Sequence, residues 1–548
     1  MYSVFLDDAQ ILLEYLDVFS GDLPILKKEI GLLNMHKAIS IICELIQLRD
    51  SKIKISSILE LDIPYETVLK KMCGIDAKSP EEMLSCPMLR KNIHIISVQM
   101  LMLLLKQILR YGNYDTLNNL EYDITEDDYI KIIQLQLVVV EEINKKHLDP
   151  EYDKNHFLYA SYHFNYKRNV ANEFLRMYYM MDKLSRDKNI FDADVQNEYK
   201  DYYTDFSQKY GFTPTQYSFL LFGELSPYYS DDEKRLSFRS IWRDFETIYK
   251  DVNNKALIYK VIQSLSQPVE SFRDWANETR DQEWDFSKFF EYPFLLDPKG
   301  NYLSICDITL RNAFFEKMFW LIRDCYPQDD NNSMAFFGRL FEKYIQDLTE
   351  NASQNEYEYI PEFTCKIKRN SIKSSDAYVR KKNQLLVVEA KGFSVLLDCM
   401  IKNEKIENNN KKLFINPVLQ ADSFLAAAIT KHCSIKGIQE AFIVSVTLDS
   451  INAVPEYYNV IHTTISKEKS CSATKYFFNF NIEEYEMLMF LMEQNYDIFS
   501  ILSDYFCNDS LRPFSSFIQD SYEQIDMTIF MEKMYQEASA KMKEMLFP

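Results

Sequence analysis

Glycine and proline are scarce in this chain. The 548 residues include 10 glycines and 16 prolines, whereas glycine alone makes up about 7% of an average protein. Both residues favour tight turns and interrupt helices. Their scarcity therefore predicts a mainly helical protein with few tight turns.

The usual metal-binding and disulfide spacings are also missing. None of the ten cysteines forms a C-x-x-C pair, and the seven histidines include no H-E-x-x-H or zinc-finger spacing. The pattern differs from that of a zinc site or a disulfide framework. We expect reduced thiols and a cytoplasmic protein.

No segment has the pattern of a signal peptide or a membrane span. The N-terminus MYSVFLDDAQ carries acids where a signal peptide needs a basic region and an apolar run. The most apolar stretch begins at Ile95 and is interrupted by Gln99 and Lys106, so it falls short of the ~20 residues that cross a bilayer. We expect a buried core helix there and no membrane association.

Positive charge is in the minority. The formal net charge is −20 at pH 7, so the surface as a whole repels phosphates at long range. Any site for a polyanion must therefore be local.

The length and the hydrophobic pattern predict several domains, because 548 residues exceed the roughly 250–300 at which single cores stop growing. Residues 1–285 repeat apolar residues at intervals of three and four, which predicts an α-helical region for sensing, recruitment or oligomerisation. The turn from Asp297 to Gly300 between two apolar runs predicts a β-hairpin that opens a second domain, residues 286–480. Residues 481–548 have the pattern of a helical C-terminal extension.

Helix and strand patterns alternate over roughly residues 333–450. A helical pattern covers about 333–348, and strand patterns follow in YEYIPEFTCKI, around SDAYVR and in QLLVVEAK. A helix from about 417 to 431 and a strand in GIQEAFIVSVTLD come next. The order αβββαβ predicts a mixed α/β sheet, so the predicted fold class of the chain is α+β and multidomain.

Four ionisable residues fall in order on these elements: Glu342 on the first helix, Asp376 early in the second strand, and Glu389 and Lys391 ending the third. Residues i and i+2 of a strand share a face, so Lys391 stands beside Glu389. Two carboxylates on adjacent strands provide the oxygen ligands that Mg²⁺ prefers. A bound ion would acidify an attacking water and polarise a phosphodiester, and Lys391 would orient the water or stabilise the transition state.

The pattern D-x12-E-A-K, from Asp376 to Lys391, resembles that of the PD-(D/E)xK, or restriction-endonuclease-like, nuclease superfamily. Members of this superfamily have an αβββαβ core and cut phosphodiester bonds with Mg²⁺. The resemblance implies Mg²⁺ as the cofactor, with Mn²⁺ as a substitute. It also implies that Asp376, Glu389 and Glu342 bind the metal, and that these residues and Lys391 form the catalytic set.

Two further positions bear on the resemblance. Gln420 matches a glutamine that many members carry on the helix after the third strand, which implies an auxiliary catalytic role. Ser375 precedes Asp376, at the position of the proline in the PD-(D/E)xK motif.

The resemblance implies a metal-dependent endonuclease, with DNA rather than RNA as the expected substrate. A large helical region fused to such a domain resembles prokaryotic anti-phage defence effectors. This architecture implies a partner protein of a defence system. Because two cuts in a duplex usually need two active sites, a homo-oligomer is also expected.

A local excess of basic residues lies between Cys365 and Lys382, where seven cations stand against one acid. Such a patch could bind nucleic-acid phosphates. A hairpin edge kept soluble by lysines is the alternative interpretation. The seven residues are Lys366, Lys368, Arg369, Lys373, Arg380, Lys381 and Lys382.

A second function class stays open on the sequence. The nuclease-like fold could have lost its activity, in which case the chain is a scaffold or interaction protein. Its many Phe and Tyr side chains would then serve partner contacts. Carboxylates that lie apart, or a Lys391 paired elsewhere, would favour this alternative.

Overall fold

The computed structural model describes residues 11–12, 14–19, 21–48, 93–94, 96–147, 169–229, 242–367, 370–392, 405–430, 435–448, 455–508, 510, 512–522 and 525–546. The α-helices are Tyr15–Val18, Leu26–Gly31, Met35–Leu48, Val98–Tyr111, Glu126–His147, Val170–Tyr178, Ala193–Gln196, Tyr202–Tyr210, Pro214–Leu225, Phe245–Ile248, Lys255–Ser264, Phe272–Glu278, Ser287–Glu291, Asp307–Asn312, Met318–Asp324, Asn331–Ala352, Ile406–Asn410, Asn416–Thr430, Pro455–Glu468, Ile482–Glu493, Ile498–Asn508, Phe514–Ser521 and Ile529–Leu546. The strands are Ile11–Leu12, Ile93–His94, Ser266–Pro268, Phe294–Leu296, Tyr302–Ser304, Glu358–Pro361, Thr364–Ile367, Asn370–Lys373, Ala377–Lys381, Gln384–Lys391, Glu440–Thr447 and Thr474–Asn481.

The chain divides into two compact units, each built from two chain segments. The first consists of Met1–Asn165 and Gly223–Ala313, and the second of Tyr166–Phe222 and Phe314–Pro548. The predicted domain boundaries after residues 285 and 480 are a different subdivision, and they stay predictions.

The first unit has a mainly helical core. Helix Val98–Tyr111 packs against Met35–Leu48 and Glu126–His147, and its leucines are almost fully buried. The prediction of a buried core helix at this apolar stretch is confirmed. The predicted hairpin is also present, with strand Phe294–Leu296 antiparallel to Tyr302–Ser304, but it belongs to the first unit.

The second unit contains a mixed five-stranded sheet. Its strands are β1 (Glu358–Pro361), β2 (Ala377–Lys381), β3 (Gln384–Lys391), β4 (Glu440–Thr447) and β5 (Thr474–Asn481). They lie in the order β5-β4-β3-β2-β1. Neighbours are antiparallel from β1 to β3 and parallel from β3 to β5. The prediction of mixed α/β structure is therefore confirmed.

Two details of the sheet differ from the sequence prediction. The segment YEYIPEFTCKI forms β1 and then a separate strand, Thr364–Ile367, which pairs only with Asn370–Lys373. The sequence analysis assigned no strand to β5, although buried and half-buried aromatic residues fill it. Long-range pairing, which local patterns do not report, decides both points.

Three helices of the second unit surround this sheet: α1 (Asn331–Ala352), α2 (Asn416–Thr430) and α3 (Ile482–Glu493). Helix α1 packs against the first three strands and α3, and α2 packs against β3 and β4. The apolar stripe of α1, which includes Phe337, Phe341, Tyr344 and Leu348, is buried. This packing explains why α1 forms, and it fixes the helix beside the end of β3.

One of the cysteines that the structure describes differs from the prediction. Cys365 is disulfide-bonded, so the expectation of ten reduced thiols is wrong for this residue. Cys43, Cys306, Cys325, Cys471 and Cys507 are free thiols. Within the described parts of the chain, none of the helices combines the length and the hydropathy that a membrane crossing requires.

Candidate functional site

Asp376 lies where the chain enters β2. Its backbone N–H donates to the carbonyl of Val388 at 3.1 Å, and its carboxylate oxygen Oδ2 accepts the N–H of Ala390 at 2.7 Å. The side chain of Gln346 on α1 donates to the Asp376 carbonyl at 3.2 Å. These three bonds hold Asp376, with its buried carboxylate, beside the end of β3.

Glu389 and Lys391 meet on one face of β3. The Lys391 ammonium donates to Glu389 Oε1 at 2.8 Å. Ala377, the first residue of β2, pairs with Val388. Asp376 precedes it and bonds to Val388 and Ala390, the two residues that flank Glu389. The structure therefore brings together the three residues that the sequence predicts at these strand ends.

Glu342 approaches this group from α1, which lies close to the end of β3 because Gly392 has no side chain. A Cβ atom on Gly392 would lie 3.0 Å from Phe341 Cβ and 3.5 Å from Gly338 Cα. Gly338 is one helical turn before Glu342, so the close contact carries Glu342 towards the end of β3. Arg339 binds Glu342 Oε2 at 2.8 Å.

The charges of the group interact strongly. Burial, and then the nearby carboxylates of Glu389 and Glu342, hold the pKa of Asp376 well above its ordinary value. Burial raises the pKa of Glu342, although Arg339 and Lys391 oppose the rise. Burial alone would lower the pKa of Lys391, but Glu389 and Asp376 raise it, so this ammonium stays charged at neutral pH.

The donor set fits a hard divalent cation with two protein ligands. Asp376 and Glu389 supply carboxylate oxygens, and burial, then the carboxylates of Glu389 and Glu342, raises the pKa of Asp376, so a cation beside it would stabilise its charged form. The described residues contain no group of three or more His, Cys, Asp or Glu side chains arranged to hold a metal ion. Glu342 therefore does not complete a three-residue site in this arrangement, and its role as a ligand stays a prediction.

Gln420 lies on α2, and its side chain is exposed. No hydrogen bond joins it to Asp376, Glu389, Lys391 or Glu342, all of which the structure describes. The predicted auxiliary role of Gln420 thus has no contact that supports it.

The predicted basic patch is divided between two places. Lys373 is exposed and pairs with Glu362 at 3.3 Å, and Glu362 in turn interacts electrostatically with Glu342. Glu362 thus lies between Lys373 and Glu342, the α1 residue next to Asp376, Glu389 and Lys391. Lys368 and Arg369 lie outside the described residues, and of Lys366 only the backbone, in strand Thr364–Ile367, is described.

The other three basic residues lie at the opposite end of the β2–β3 hairpin. Five residues of β3 separate that end from Glu389, or roughly 17 Å at the usual rise of a strand. Arg380 donates to the carbonyls of Lys382 and Lys436, each at 3.0 Å. Lys381 pairs with Glu356 at 3.2 Å. Arg380 and Lys381 therefore serve the hairpin itself.

The structure adds two residues that the sequence analysis did not single out. Ser445 on β4 stands in register with Glu389, and Asn479 on β5 stands in register with Ser445. Ser445 is fully buried, and its hydroxyl has no hydrogen-bond partner among the described residues. Both polar atoms of the Asn479 amide are buried and unpaired in the same way. Their sequence signal is weak: Ser445 interrupts the apolar run of β4, and Asn479 interrupts the aromatic run of β5.

No protein-family model matches this chain, and comparisons with curated proteins and with solved structures give no significant match. The geometry of this site and the sequence pattern are therefore the basis of the functional proposal.

Proposed function

We propose that the second unit is a metal-dependent nuclease of the restriction-endonuclease-like type that cuts phosphodiester bonds, with DNA as the expected substrate. The observation that carries this proposal is the meeting of Asp376, Glu389 and Lys391 at the end of β3. The order of α1, the sheet strands and α2 supports the same fold type. Asp376 and Glu389 hold the divalent ion, Mg²⁺ or Mn²⁺, which supplies Lewis-acid activation of water and phosphate.

Lys391 acts as an electrostatic group. Glu389 and Asp376 raise the pKa of its ammonium against the effect of burial. The ammonium can donate a hydrogen bond to the attacking water or to a phosphate oxygen as negative charge develops. Its hydrogen bond to Glu389 holds the Lys391 ammonium beside one of the two proposed metal ligands.

A local positive charge near the proposed site could bind a polyanion although the protein as a whole is acidic. Lys373 is the described cation of the predicted patch that stands near the carboxylate group. An exposed lysine can contact a phosphate without base specificity. Lys373 is therefore the proposed first contact for the backbone of the substrate.

The proposal is tested by a cleavage assay on supercoiled plasmid, linear duplex, single-stranded DNA and RNA, with Mg²⁺, with Mn²⁺ and with a chelator. We expect metal-dependent cleavage by the wild type. Glu389→Gln and Lys391→Met should each lower the rate by at least ~100-fold, the scale expected when one electrostatic group is removed. Glu440→Gln is the matched control, because Glu440 begins the neighbouring strand at the opposite end.

A direct metal-binding measurement complements the assay. Binding of Mn²⁺ by the wild type but not by Glu389→Gln would support a nuclease that needs a partner or trigger if no cleavage is observed. Absence of both cleavage and Mn²⁺ binding would overturn the proposal.

The alternative is a scaffold with an inactive nuclease-like fold. The observation that favours it is the pairing of Glu389 with Lys391 and of Glu342 with Arg339, which partly neutralises the carboxylates without a metal. In that case Lys391→Met would lower the stability of the protein, and Mn²⁺ would not protect the wild type against unfolding.

A further inference from the structure

A row of polar side chains crosses three strands of the sheet at one height. Ser445 is the neighbour of Glu389 on β4, and Asn479 is the neighbour of Ser445 on β5. In-register residues of adjacent strands share a face of the sheet. The Glu389 carboxylate, beside which Asp376 accepts the N–H of Ala390, therefore continues on the same face into a hydroxyl and an amide.

The polar groups of Ser445 and Asn479 are not part of a generally polar face. The preceding layer on that face is apolar and buried, with Val387, Ile443 and Phe477 in register. Burying a hydroxyl and an amide without partners costs free energy. A ligand or water that accepts or donates a hydrogen bond at these positions would offset this cost.

The next polar layer behaves differently. Thr447 lies in register with Lys391, and its hydroxyl donates to the carbonyl of Phe480 at 3.5 Å. Asn481 lies in register with Thr447 and caps α3 by accepting the N–H of Glu484 at 2.9 Å. Protein groups satisfy these polar atoms, whereas those of the row beside Glu389 have no protein partner among the described residues.

We propose that Ser445 and Asn479 bind the water molecules that complete the coordination of a divalent ion at Asp376 and Glu389. This inference rests on the proposed function, because it requires the metal. Mg²⁺ keeps several of its waters, and hydrogen-bond acceptors outside the ligand shell orient such waters. Serine and asparagine can each accept a hydrogen bond, and each can donate one to a further water.

The spacing of the strands assigns a different role to each residue. Neighbouring strands lie about 4.8 Å apart, so Ser445 is one strand and Asn479 two strands from Glu389. A water on an ion bound to Glu389 can reach the Ser445 hydroxyl directly. The Asn479 amide is about 10 Å away, and it contacts the next water of the row. Both are positioning residues that do not touch the metal.

The test measures Mn²⁺ affinity and stability together. Mn²⁺ titration, followed by electron paramagnetic resonance or calorimetry, should give a Kd that Ser445→Ala raises by about 10- to 100-fold. Asn479→Leu should raise it less, and Asn479→Ser, which keeps a hydroxyl, should restore part of the affinity. The thermal midpoints of metal-free Ser445→Ala and Asn479→Leu should be equal to or higher than that of the wild type, because an unpaired polar group is removed.

Thr474→Val is the matched control. The Thr474 hydroxyl is also buried and unpaired among the described residues, but Thr474 begins β5, at the other end from Asn479. Its replacement should leave the Kd for Mn²⁺ unchanged.

The outcomes separate this inference from the proposed function. An unchanged Kd in a folded Ser445→Ala variant, with the wild type binding Mn²⁺, would overturn the inference and leave the nuclease proposal intact. No Mn²⁺ binding by the wild type would overturn both. Ser445→Ala removes a single oxygen atom, and if that variant fails to fold, an unchanged Kd in folded Asn479→Leu would overturn the inference.

Discussion

The carboxylate of Asp376 accepts the backbone N–H of Ala390, with 2.7 Å between Oδ2 and the nitrogen. Ala390 lies between Glu389 and Lys391, so this bond ties the start of β2 to the pair of charges at the end of β3. The donor is a main-chain N–H whose position is fixed by the strand, so the bond holds the Asp376 side chain in one orientation beside the end of β3.

Replacement of Asp376 should separate metal binding from stability. Asp376→Asn keeps an oxygen that can accept the Ala390 N–H, but it removes a charge that burial and Glu389 disfavour. We expect the metal-free variant to unfold at a higher temperature than the wild type. Its affinity for Mn²⁺ should fall by at least ~10- to 100-fold, since a ligand matters no less than the groups that orient it. Lower thermal stability in a chelator would contradict the electrostatic argument.

Metal affinity should depend on pH through the same carboxyl groups. The pKa values of Asp376 and Glu342 are raised, so protons compete with a cation at pH values where an ordinary carboxyl is ionised. The Mn²⁺ affinity of the wild type should therefore rise from about pH 5 to about pH 8. Titrations at several pH values measure this slope, and Asp376→Asn should make it shallower. A wild-type affinity independent of pH would show that no proton is displaced.

The two glycines between α1 and β3 provide a matched pair of substitutions. A Cβ on Gly392 would lie 3.0 Å from Phe341 Cβ, whereas one on Gly338 would meet nothing within 4 Å. Gly392→Ala should lower the free energy of unfolding by about 1–3 kcal/mol through overpacking. Gly338→Ala should raise it by about 0.5–1 kcal/mol, because alanine favours a helix. Denaturant unfolding measures both, and equal effects would mean that α1 and β3 are not in close contact.

Stability should fall as the pH rises, through a carboxyl in the core of the second unit. Burial raises the pKa of Glu484 to about 7, although backbone N–H groups, Asn481 among them, lower it. Between its ordinary pKa of 4.5 and 7, the folded state binds more protons than the unfolded state, so this contribution to stability is lost as pH increases. Glu484→Gln should therefore stabilise the protein at pH 8 more than at pH 5. Denaturant unfolding at the two pH values provides the measurement, and Glu440→Gln is the control. An equal difference at both values would be inconsistent with a raised pKa.

The division of the basic patch predicts unequal effects on DNA binding. Lys373→Ala should weaken binding at all sequences and reduce the salt dependence by about one unit of slope. Lys382→Ala should change neither, because Lys382 occupies the turn between β2 and β3, roughly 17 Å of strand from Glu389. Fluorescence anisotropy in a chelator measures both variants without cleavage. A larger effect of Lys382→Ala would place the DNA on the other end of the sheet.

The local elements of the site could be predicted because their signals are local. The apolar period of α1 and α2 and the apolar run of β3 predict these elements to within a few residues of their observed ends. The spacing of Glu389 and Lys391 also predicts that they share a face. Such signals depend on backbone geometry within one element, and tertiary contacts did not alter them.

Contacts between distant segments could not be predicted in the same way. Strand β5 and the unpaired polar atoms of Ser445 and Asn479 depend on which strands become neighbours, and in which register. The separation of Lys373 from Arg380 likewise depends on two hairpins that the sequence presents as one basic stretch. A local sequence pattern does not show which strands pair or in which register.

The sequence by itself determined the helical character of the chain and the mixed α/β segment, because composition and periodicity reflect local backbone preferences. The order of the charged residues on those elements, with the family resemblance, marked Asp376, Glu389 and Lys391 as candidates. Only the tertiary structure decided that Asp376 bonds to the backbone beside Glu389, that Gln420 is exposed and that Ser445 lies in register with Glu389. Strand register and helix packing, which are fixed by burial across the whole unit, are the physical reason.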